Sequence, residues 1–429
     1  MGMKFYGLVD EALSEVHRRE PDYLSRFPIG IPDDVSEIAA RYAGHPLLAA
    51  YPPSAIEQAI ADGLAHAAKS SPTARRVSGE DDPLTGWLCD GIVDALRADR
   101  GAVALEPCPP PEKPVLEIFA DGYSERRTPA GSRYFVRNGG GRPLLVISAT
   151  GTPPEIWRRF LGDTSHGFKI IVPERQGGDL FTGGLQRHVE LSTETDTLAA
   201  ILDAEAIDRA DLLAWCNGAR LAIDLAGRCP DRVSAVVLLT PMLKGIHGIE
   251  PNPSPFERDL QPLLDAAARQ TAMAPFLAKT IAQQAQSPDW NRLKDAAARV
   301  ETLFGRPAKD IAANLLAPMA EGGSLINVAR RVASDEAYPV HGILPALKTP
   351  MLVIMGANDQ VVSNAYTSAV MRMAAGPVTK AFLAGGGHYI QDLQYPYFRL
   401  LLTEYLERDR PPPGMARVFV EGGDAGRPA

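Results

Sequence analysis

The fold is decided by residues 210–224, which read A-D-L-L-A-W-C-N-G-A-R-L-A-I-D. Residues 212–215 are a short apolar run typical of a fully buried strand, and the part from Ala219 onward has the apolar spacing of a helix. Between them lies Ala214-Trp215-Cys216-Asn217-Gly218, with small residues two positions on either side of a nucleophilic side chain. A sharp turn from strand to helix needs small residues there because the two backbones nearly touch. The pattern predicts a nucleophile elbow centred on Cys216.

A cysteine at a strand end can also be a small apolar residue without reactivity. Two further residues decide between these interpretations. Asp359 follows the apolar run 350–356, and His388 follows the apolar run 379–383 after a stretch of three glycines. Nucleophile, acid and histidine then stand in this order, each in the loop after a different strand. The sequence therefore predicts a catalytic triad of Cys216, His388 and Asp359.

Composition narrows the classes of function. The 429 residues are 45% hydrophobic and 22% charged, which is typical of a soluble globular protein with a sizeable core. The net charge of −8 argues against nucleic acid as a partner. No apolar run is long enough to span a membrane and the N-terminus has no signal-like apolar segment, so we expect a cytoplasmic protein without a membrane partner. The four cysteines have no metal-binding spacing, and no metal or cofactor is expected.

The chain divides into five segments. Residues 1–106 have helical patterns, and residues 107–114 form a proline-rich linker. Residues 115–242 and 348–408 alternate short apolar strands with helices, which predicts an α/β core with a mostly parallel sheet and flanking helices. The helical, alanine-rich residues 243–347 are predicted to be a lid over the strand ends, and residues 409–429 are a tail. The predicted strands are 115–119, 132–136, 143–148, 168–172, 212–215, 234–239, 350–356 and 379–383.

Residues 114–408 resemble the α/β-hydrolase superfamily in this order of elements and in the position of each triad residue. The resemblance implies that His388 accepts the thiol proton of Cys216 and that Asp359 orients the imidazole. It also implies an oxyanion hole made by the backbone N–H groups of Asn217 and Thr152. Many members have His-Gly-x-Pro in that second loop, whereas this chain has Thr150-Gly151-Thr152-Pro153. The absent histidine leaves open what supports the loop, and the segment read alone is also compatible with a simple turn.

Cysteine in place of serine bears on the reaction, because it stores an acyl group as a thioester. The chain resembles the cysteine-dependent aminoacyltransferases of nonribosomal peptide pathways, such as the syringomycin and coronamic acid shuttle enzymes. This implies transfer of an acyl, specifically an aminoacyl, group between phosphopantetheine thioesters of acyl or peptidyl carrier proteins. A cysteine-dependent thioesterase or hydrolase of the dienelactone hydrolase type is the alternative enzyme. A hydrolase-like scaffold with an inert Cys216 is the alternative outside catalysis.

Three arginines are candidates for a basic rim that receives the phosphopantetheine arm. They are Arg175, Arg187 and Arg220. Solvated surface positions are the alternative for each of them, since charged side chains lie mostly at the surface.

Overall fold

The structure is a computed structural model of the chain. It describes residues 3–43, 51–77, 82–100, 113–181, 183–246, 248–284, 290–293, 295–307, 309–383, 386–408 and 419–421. Residues 107–112 of the predicted linker and most of the predicted tail lie outside the described residues. Within the described residues, no helix combines the length and apolar character needed to cross a lipid bilayer.

The N-terminal region is mainly helical and has a hydrophobic core of its own. Its elements are α1 (Met3–Arg19), α2 (Tyr23–Arg26), β1 (Gly30–Pro32), α3 (Ser36–Ala43), α4 (Pro53–Ser70), β2 (Arg75–Val77) and α5 (Pro83–Arg100). Strands β1 and β2 form a short parallel pair that the sequence patterns did not predict. The core of this region also takes in Trp290, Leu303 and Phe304, which come from a distant part of the chain. The N-terminal region is therefore packed against the rest of the protein.

In the first part of the α/β core, residues 115–239, the structure contradicts one prediction. Its elements are α6 (Val115–Gly122), β3 (Tyr123–Arg127), β4 (Arg133–Arg137), β5 (Arg142–Ile147), α7 (Arg158–Gly162), β6 (Phe168–Pro173), α8 (Leu191–Ala204), β7 (Ala210–Trp215), α9 (Gly218–Arg228) and β8 (Val233–Leu239). Residues 115–119 were predicted to be a strand, and this prediction is wrong. Val115, Ile118 and Phe119 are buried at helical spacing, and the chain enters this helix from Pro114. The partner of β4 is instead β3, which follows that helix.

Residues 255–346 insert a layer of helices between β8 and the next strand. They are α10 (Pro255–Asp259), α11 (Gln261–Arg269), α12 (Ala274–Gln284), α13 (Ala296–Gly305), α14 (Lys309–Leu316), α15 (Gly322–Ala337) and α16 (Val340–Ile343), with short 3₁₀ turns at Thr271–Met273, Ala317–Met319 and Leu344–Ala346. We call this segment the cap. Helices α11, α12 and α15 share a small hydrophobic core centred on Leu264, Leu277 and Leu325.

The last part of the chain completes the sheet. It contains β9 (Met351–Gly356), α17 (Asn364–Met371), β10 (Val378–Leu383), α18 (Ile390–Leu393), α19 (Tyr395–Arg408) and β11 (Phe419–Glu421). The nine-stranded sheet has the order β11-β10-β9-β8-β7-β5-β6-β4-β3. The pairs from β10 through β6 are parallel, while β3, β4 and β11 join antiparallel. The sequence predicted the ends of the six parallel strands to within two residues.

The sheet separates two hydrophobic cores because successive side chains of a strand point to opposite faces. In β5, Leu144 and Val146 belong to one core, and Leu145 and Ile147 belong to the other. Cys216 lies in the first core with Trp215, whereas α9 packs in the second. The parallel strands β5, β7, β8, β9 and β10 all end at the same edge of the sheet, which brings the loops after them together.

The turn from β7 into α9 is closely packed against the end of β5. A Cβ atom added to Gly218 would lie 2.8 Å from the carbonyl oxygens of both Ile147 and Ser148. These are backbone atoms of a buried strand end and cannot move aside cheaply. A glycine is required at this position so that the helix can start directly beside the strand.

We expect Gly218→Ala to lower the free energy of unfolding by about 1–3 kcal/mol, because the methyl group overpacks the elbow. Chemical denaturation followed by circular dichroism measures this change. The matched control is Gly323→Ala, also in the first turn of a helix, where an added Cβ meets no heavy atom within 4 Å. This control should be neutral or gain up to about 1 kcal/mol from helix propensity. Equal effects of the two substitutions would contradict the packing argument.

Candidate active site

Cys216 sits on a strained turn at the carboxyl end of β7. Its φ of 54° lies in the left-handed region, which residues other than glycine rarely adopt. The surrounding backbone fixes this conformation: the N–H of Cys216 donates to the carbonyl of Leu239 at 3.1 Å, and the N–H of Met242 donates to the carbonyl of Cys216 at 3.1 Å. Cys216 is 8% exposed. The elbow thus holds the sulfur in one position at the edge of the sheet.

The structure brings the three predicted triad residues together. The Nδ1 atom of His388 lies 3.0 Å from Oδ2 of Asp359, and Cys216 lies close enough to the ring of His388 to raise its pKa. The other oxygen of Asp359 accepts from the backbone N–H groups of Val361 at 2.7 Å and Val362 at 2.9 Å. The side chain of Asp359 is fully buried. Since Asp359 occupies Nδ1, the Nε2 atom of His388 is left to serve the sulfur.

Electrostatics favour the protonated form of His388. Burial alone lowers the pKa of this imidazole, but the neighbouring Asp359 and Cys216 outweigh burial and raise the pKa to about 10. Asp359 therefore does more than orient the ring, because it also stabilises the imidazolium that forms when the thiol loses its proton.

The backbone carbonyl of His388 is hydrogen-bonded to the last residue of β7, which precedes Cys216, and to the residue that follows β8. The oxygen of this carbonyl accepts from the indole Nε1 of Trp215 at 3.2 Å and from the hydroxyl of Thr240 at 3.1 Å. Trp215 is buried in the core beside Cys216. It acts as a packing residue that also anchors the histidine loop, which fixes the distance between the imidazole and the elbow.

The two predicted oxyanion donors lie on opposite sides of the elbow. Asn217 precedes the first residue of α9, so its backbone N–H belongs to the amino end of that helix. The backbone N–H of Thr152 donates to the carbonyl of Ala149 at 3.1 Å and thus closes a turn. An oxyanion would have to share this N–H with that carbonyl or replace it. The assignment of both donors stays a prediction.

The loop that carries Thr152 is supported by a side-chain network in place of a histidine. The amide of Asn217 makes two hydrogen bonds to Thr150: its Oδ1 accepts from the backbone N–H at 2.9 Å, and its Nδ2 donates to the hydroxyl at 3.0 Å. The guanidinium of Arg175 also donates to this hydroxyl, at 3.2 Å. The residue after the nucleophile and the predicted oxyanion loop are therefore joined by side chains as well as by backbone.

The network continues as a buried ion cluster into the cap. Arg175 binds the carboxylate of Glu194, with an Nη2 to Oε2 distance of 2.8 Å. The same oxygen accepts from Nη2 of Arg331 at 2.5 Å, and Arg331 in turn pairs with Asp335 at 2.6 Å; both of these residues belong to α15. Burial raises the pKa of Glu194, but the two guanidinium groups outweigh burial and hold the pKa below its ordinary value. Two positive and two negative groups thus compensate one another inside the protein.

This cluster corrects the expected basic rim. Arg175 and Arg220 are both buried, and Arg220 donates to the carbonyl of Lys244. Arg187 is exposed. Sequence reasoning missed the cluster because its two halves are far apart in the chain, with a separation of 137 positions between Glu194 and Arg331. The sequence contains one signal of this network, the threonine at position 150, because a loop without the histidine of many α/β-hydrolases needs other support.

The N-terminal region reaches the segment that follows His388. Arg18 lies 3.3 Å from the carboxylate of Asp392, and Asp392 is buried. Arg19 donates to the carbonyl of Leu303 at 2.7 Å. The ring of Trp87 stacks on Phe304 with centroids 3.7 Å apart. Helices α1 and α5 therefore hold both the end of α13 and the start of α18, next to the predicted catalytic histidine.

Within the described part of the chain, no three His, Cys, Asp or Glu side chains cluster closely enough to hold a metal ion. The groups that the structure brings together are a thiol, an imidazole and a buried carboxylate, which are the groups that nucleophilic catalysis by sulfur requires.

Comparisons with known proteins give partial matches in sequence. No family model matches the chain. The 2-hydroxy-6-oxo-2,4-heptadienoate hydrolase of Pseudomonas putida is 29% identical over 126 residues, which cover 27% of this chain and 46% of that enzyme. The 2-hydroxymuconate semialdehyde hydrolase of Pseudomonas sp. strain CF600 is 29% identical over 105 residues, which cover 24% of this chain and 37% of that enzyme. Both matches span less than half of the hydrolase concerned.

A solved structure covers more of the chain. The crystal structure of a membrane phospholipase A superposes with a TM-score of 0.50 and 18% identity, over 74% of this chain and 94% of that protein. A likeness at this level of identity concerns the fold alone. Together with the strand order and the position of the elbow, it confirms the predicted fold class: the chain has the α/β-hydrolase fold, with a helical cap and an N-terminal helical region.

We expect Cys216→Ala to lower the pKa of His388 below about 10, because one of the two neighbouring groups that raise this pKa is removed. The raised pKa stabilises the folded wild type fully below the ordinary histidine pKa of about 6.5, and this stabilisation is lost as the pH rises through the folded value. A titration of ¹³C-labelled histidine by NMR measures the shift. Cys229→Ala, at the end of α9, is the control, and an unchanged His388 in Cys216→Ala would show that the sulfur does not interact with it.

We expect Glu194→Gln to lower the free energy of unfolding by about 3–5 kcal/mol, because it leaves Arg175 and Arg331 buried without their shared carboxylate. In the wild type this contribution is present above the ordinary pKa of the carboxyl and is lost as the pH falls through the lowered pKa of the folded state. Urea denaturation at neutral pH measures the loss. Glu190→Gln, an exposed position just before α8, should change stability by less than about 1 kcal/mol. A loss of similar size in both variants would refute the role of the cluster.

Proposed function

We propose that this protein is an acyltransferase that moves an acyl group, specifically an aminoacyl group, between carrier-protein phosphopantetheine thioesters through a thioester on Cys216. The observation that carries the proposal is the arrangement at the elbow: a cysteine on a strained turn, close to an imidazole whose Nδ1 atom is held by a buried carboxylate. This is the arrangement of a nucleophile, a general base and an orienting acid. It weighs against an inert cysteine, since such a residue needs no imidazole partner.

The choice of sulfur supports transfer between thiols. A donor thioester, an enzyme thioester and an acceptor thioester have the same type of bond, so the acyl group passes along with little change in bond energy at any stage. A serine nucleophile would store the group as an oxygen ester and would make the step onto an acceptor thiol less favourable. The cysteine therefore suits an enzyme that must both receive and release an acyl group reversibly.

The reaction proceeds in two balanced steps. The sulfur of Cys216, its proton held by His388, attacks the carbonyl carbon of the donor thioester and forms a tetrahedral oxyanion facing the N–H groups of Asn217 and Thr152. The carbon–sulfur bond to the donor breaks, and the departing thiolate takes the proton from His388. The acceptor thiol then gives its proton to His388 and attacks the Cys216 thioester. The acyl group leaves on the acceptor, and Cys216 and His388 return to their starting state.

Exclusion of water decides between transfer and hydrolysis in such an enzyme, because water can attack the same intermediate. Cys216 is 8% exposed, and the cap contributes Leu315 to the core around it. The N-terminal region covers the side of the histidine segment. A nucleophile enclosed in this way favours an acceptor that is delivered to it over bulk water.

Hydrolysis is the second candidate, and the names of the similar proteins favour it. Both curated proteins that match part of the chain are hydrolases of hydroxy-oxo-dienoate or semialdehyde substrates. Under this alternative, a water molecule activated by His388 attacks the acyl-enzyme and releases a free acid. The same triad serves either reaction, so product analysis separates them.

We expect the wild-type protein to gain the mass of one acyl group when it is incubated with an aminoacyl-loaded peptidyl carrier domain, because the nucleophilic cysteine takes up the group as a thioester. Intact-protein mass spectrometry detects the adduct. The gain should be absent in Cys216→Ala and retained in Cys229→Ala, the matched cysteine control. Addition of a second, unloaded carrier should discharge the adduct onto that carrier.

Three outcomes would change the conclusion. An adduct that persists in Cys216→Ala removes this residue from the mechanism. Discharge to free acid, with no acyl group on the second carrier, establishes the hydrolase alternative. Failure of the native protein to form any adduct, together with no alkylation of Cys216 by iodoacetamide near neutral pH, establishes the inert scaffold.

A further inference from the structure

Two large apolar side chains on the cap face solvent. Phe276 on α12 is 64% exposed, and Met273 in the turn before it is 44% exposed. Among the described residues, the one other large hydrophobic side chain with such exposure is Leu116 on α6. The opposite side of α12 is occupied: Leu277, Ala278 and Ile281 are buried in the cap core with α11 and α15. Phe276 and Met273 therefore do not contribute to the cap core, and they are exposed apolar side chains on the outer surface of the cap.

The same surface carries positive charge. Arg269 and Lys279 are exposed, and residues 266–284 contain no aspartate or glutamate in a chain that has 52 acidic residues. Asp265, the nearest carboxylate on the amino-terminal side of this stretch, accepts a hydrogen bond from Gln261 at 2.9 Å. We call the surface formed by Arg269, Met273, Phe276 and Lys279 the α12 face.

The α12 face lies one layer of packing away from the predicted oxyanion loop. Helix α12 packs against α15 and against the Ala317–Met319 turn, and a Cβ added to Gly322 would lie 3.1 Å from the ring of Pro275. Pro318 of that turn in its turn packs against Gly151, at 3.0 Å from the position of an added Cβ. The α12 face is therefore connected to the predicted oxyanion loop through α12 itself and the Ala317–Met319 turn.

We propose that the α12 face is the docking surface for the carrier protein, an acidic partner that presents its acyl group on a phosphopantetheine thiol. The inference rests on the proposed function and adds the place where the partner binds. Charge complementarity argues for an acidic partner, because this surface is locally basic in a protein of net charge −8. Phe276 and Met273 supply the apolar centre that protein interfaces need, and the basic residues form its rim.

Two variants test the docking surface, each with a matched control. Phe276→Ser removes the apolar centre, and Leu116→Ser removes an equally exposed apolar side chain on α6. Lys279→Glu reverses a charge on the α12 face, and Lys348→Glu reverses an exposed charge just before β9, at the edge of the sheet opposite the triad. All four side chains are exposed, so thermal unfolding should stay close to that of the wild type.

Binding of an excised, phosphopantetheine-bearing peptidyl carrier domain is measured by fluorescence anisotropy at low salt. We expect Phe276→Ser and Lys279→Glu to weaken binding at least about tenfold, as loss of a central apolar or charged contact does at protein interfaces. Both controls should bind like the wild type. Acyl uptake from the loaded carrier should show a KM raised by a similar factor, while uptake from a small soluble acyl thioester should be unchanged, because that donor does not dock.

The two readouts separate this proposal from the proposed function. Unchanged carrier affinity in Phe276→Ser and Lys279→Glu overturns the docking surface, whether or not transfer occurs. Weakened affinity with no transfer by the wild type keeps the surface and refutes the transferase. Equal losses with the carrier and with the small thioester overturn the surface as well, since they show damage to the active site. Failure of the wild type to bind the carrier at all refutes both.

Discussion

The structure depends on one local constraint: the chain must reverse from a strand into a helix within the length of Cys216 and Asn217. The reversal needs a left-handed backbone at a residue with a side chain, which costs of order 1–3 kcal/mol. It also needs Gly218 directly against the carbonyl oxygens at the end of β5. The N–H of Cys216 donates a hydrogen bond to the carbonyl of Leu239, and the N–H of Met242 donates one to the carbonyl of Cys216. These bonds to β8 and to the loop after it hold the turn in its strained conformation. The surrounding strands fix this backbone, and the backbone in turn holds the sulfur at the edge of the sheet.

A second constraint acts on the loop opposite the elbow. The hydroxyl of Thr150 receives hydrogen bonds from both Asn217 and Arg175, and Arg175 belongs to the charge cluster with Glu194 and Arg331. Such a cluster is expensive to desolvate and tolerates little displacement, because any separated charge would be buried alone. The cap helix α15 therefore sits in a defined register over the site. The cap and Asn217, the residue after Cys216, belong to one connected polar network.

The sequence predicted what local patterns encode. Apolar runs located the six parallel strands, and the small residues around Cys216 with the loop positions of Asp359 and His388 predicted the grouping that the structure shows. The prediction for residues 115–119 was wrong because a segment this short shows no clear strand or helix periodicity in its apolar residues. The helix is recognisable only from the structure, in which Val115, Ile118 and Phe119 are buried in the core. The ion cluster could not be predicted, since nothing near Arg175 in sequence identifies Arg331 as sharing its partner. The donor role of Thr152 stays a prediction, as its N–H already has an acceptor.

The contact between α1 and α18 has a consequence for biosynthesis. Arg18 and Asp392 are separated by 374 positions, so this contact is strongly non-local and cannot form until α18 has been synthesised. Until then, the apolar side of α1 can pack only against elements that precede α18 in the chain, such as α4 and α5. A nascent chain stalled in the cap would therefore lack this contact and would present an unfinished surface to chaperones and proteases.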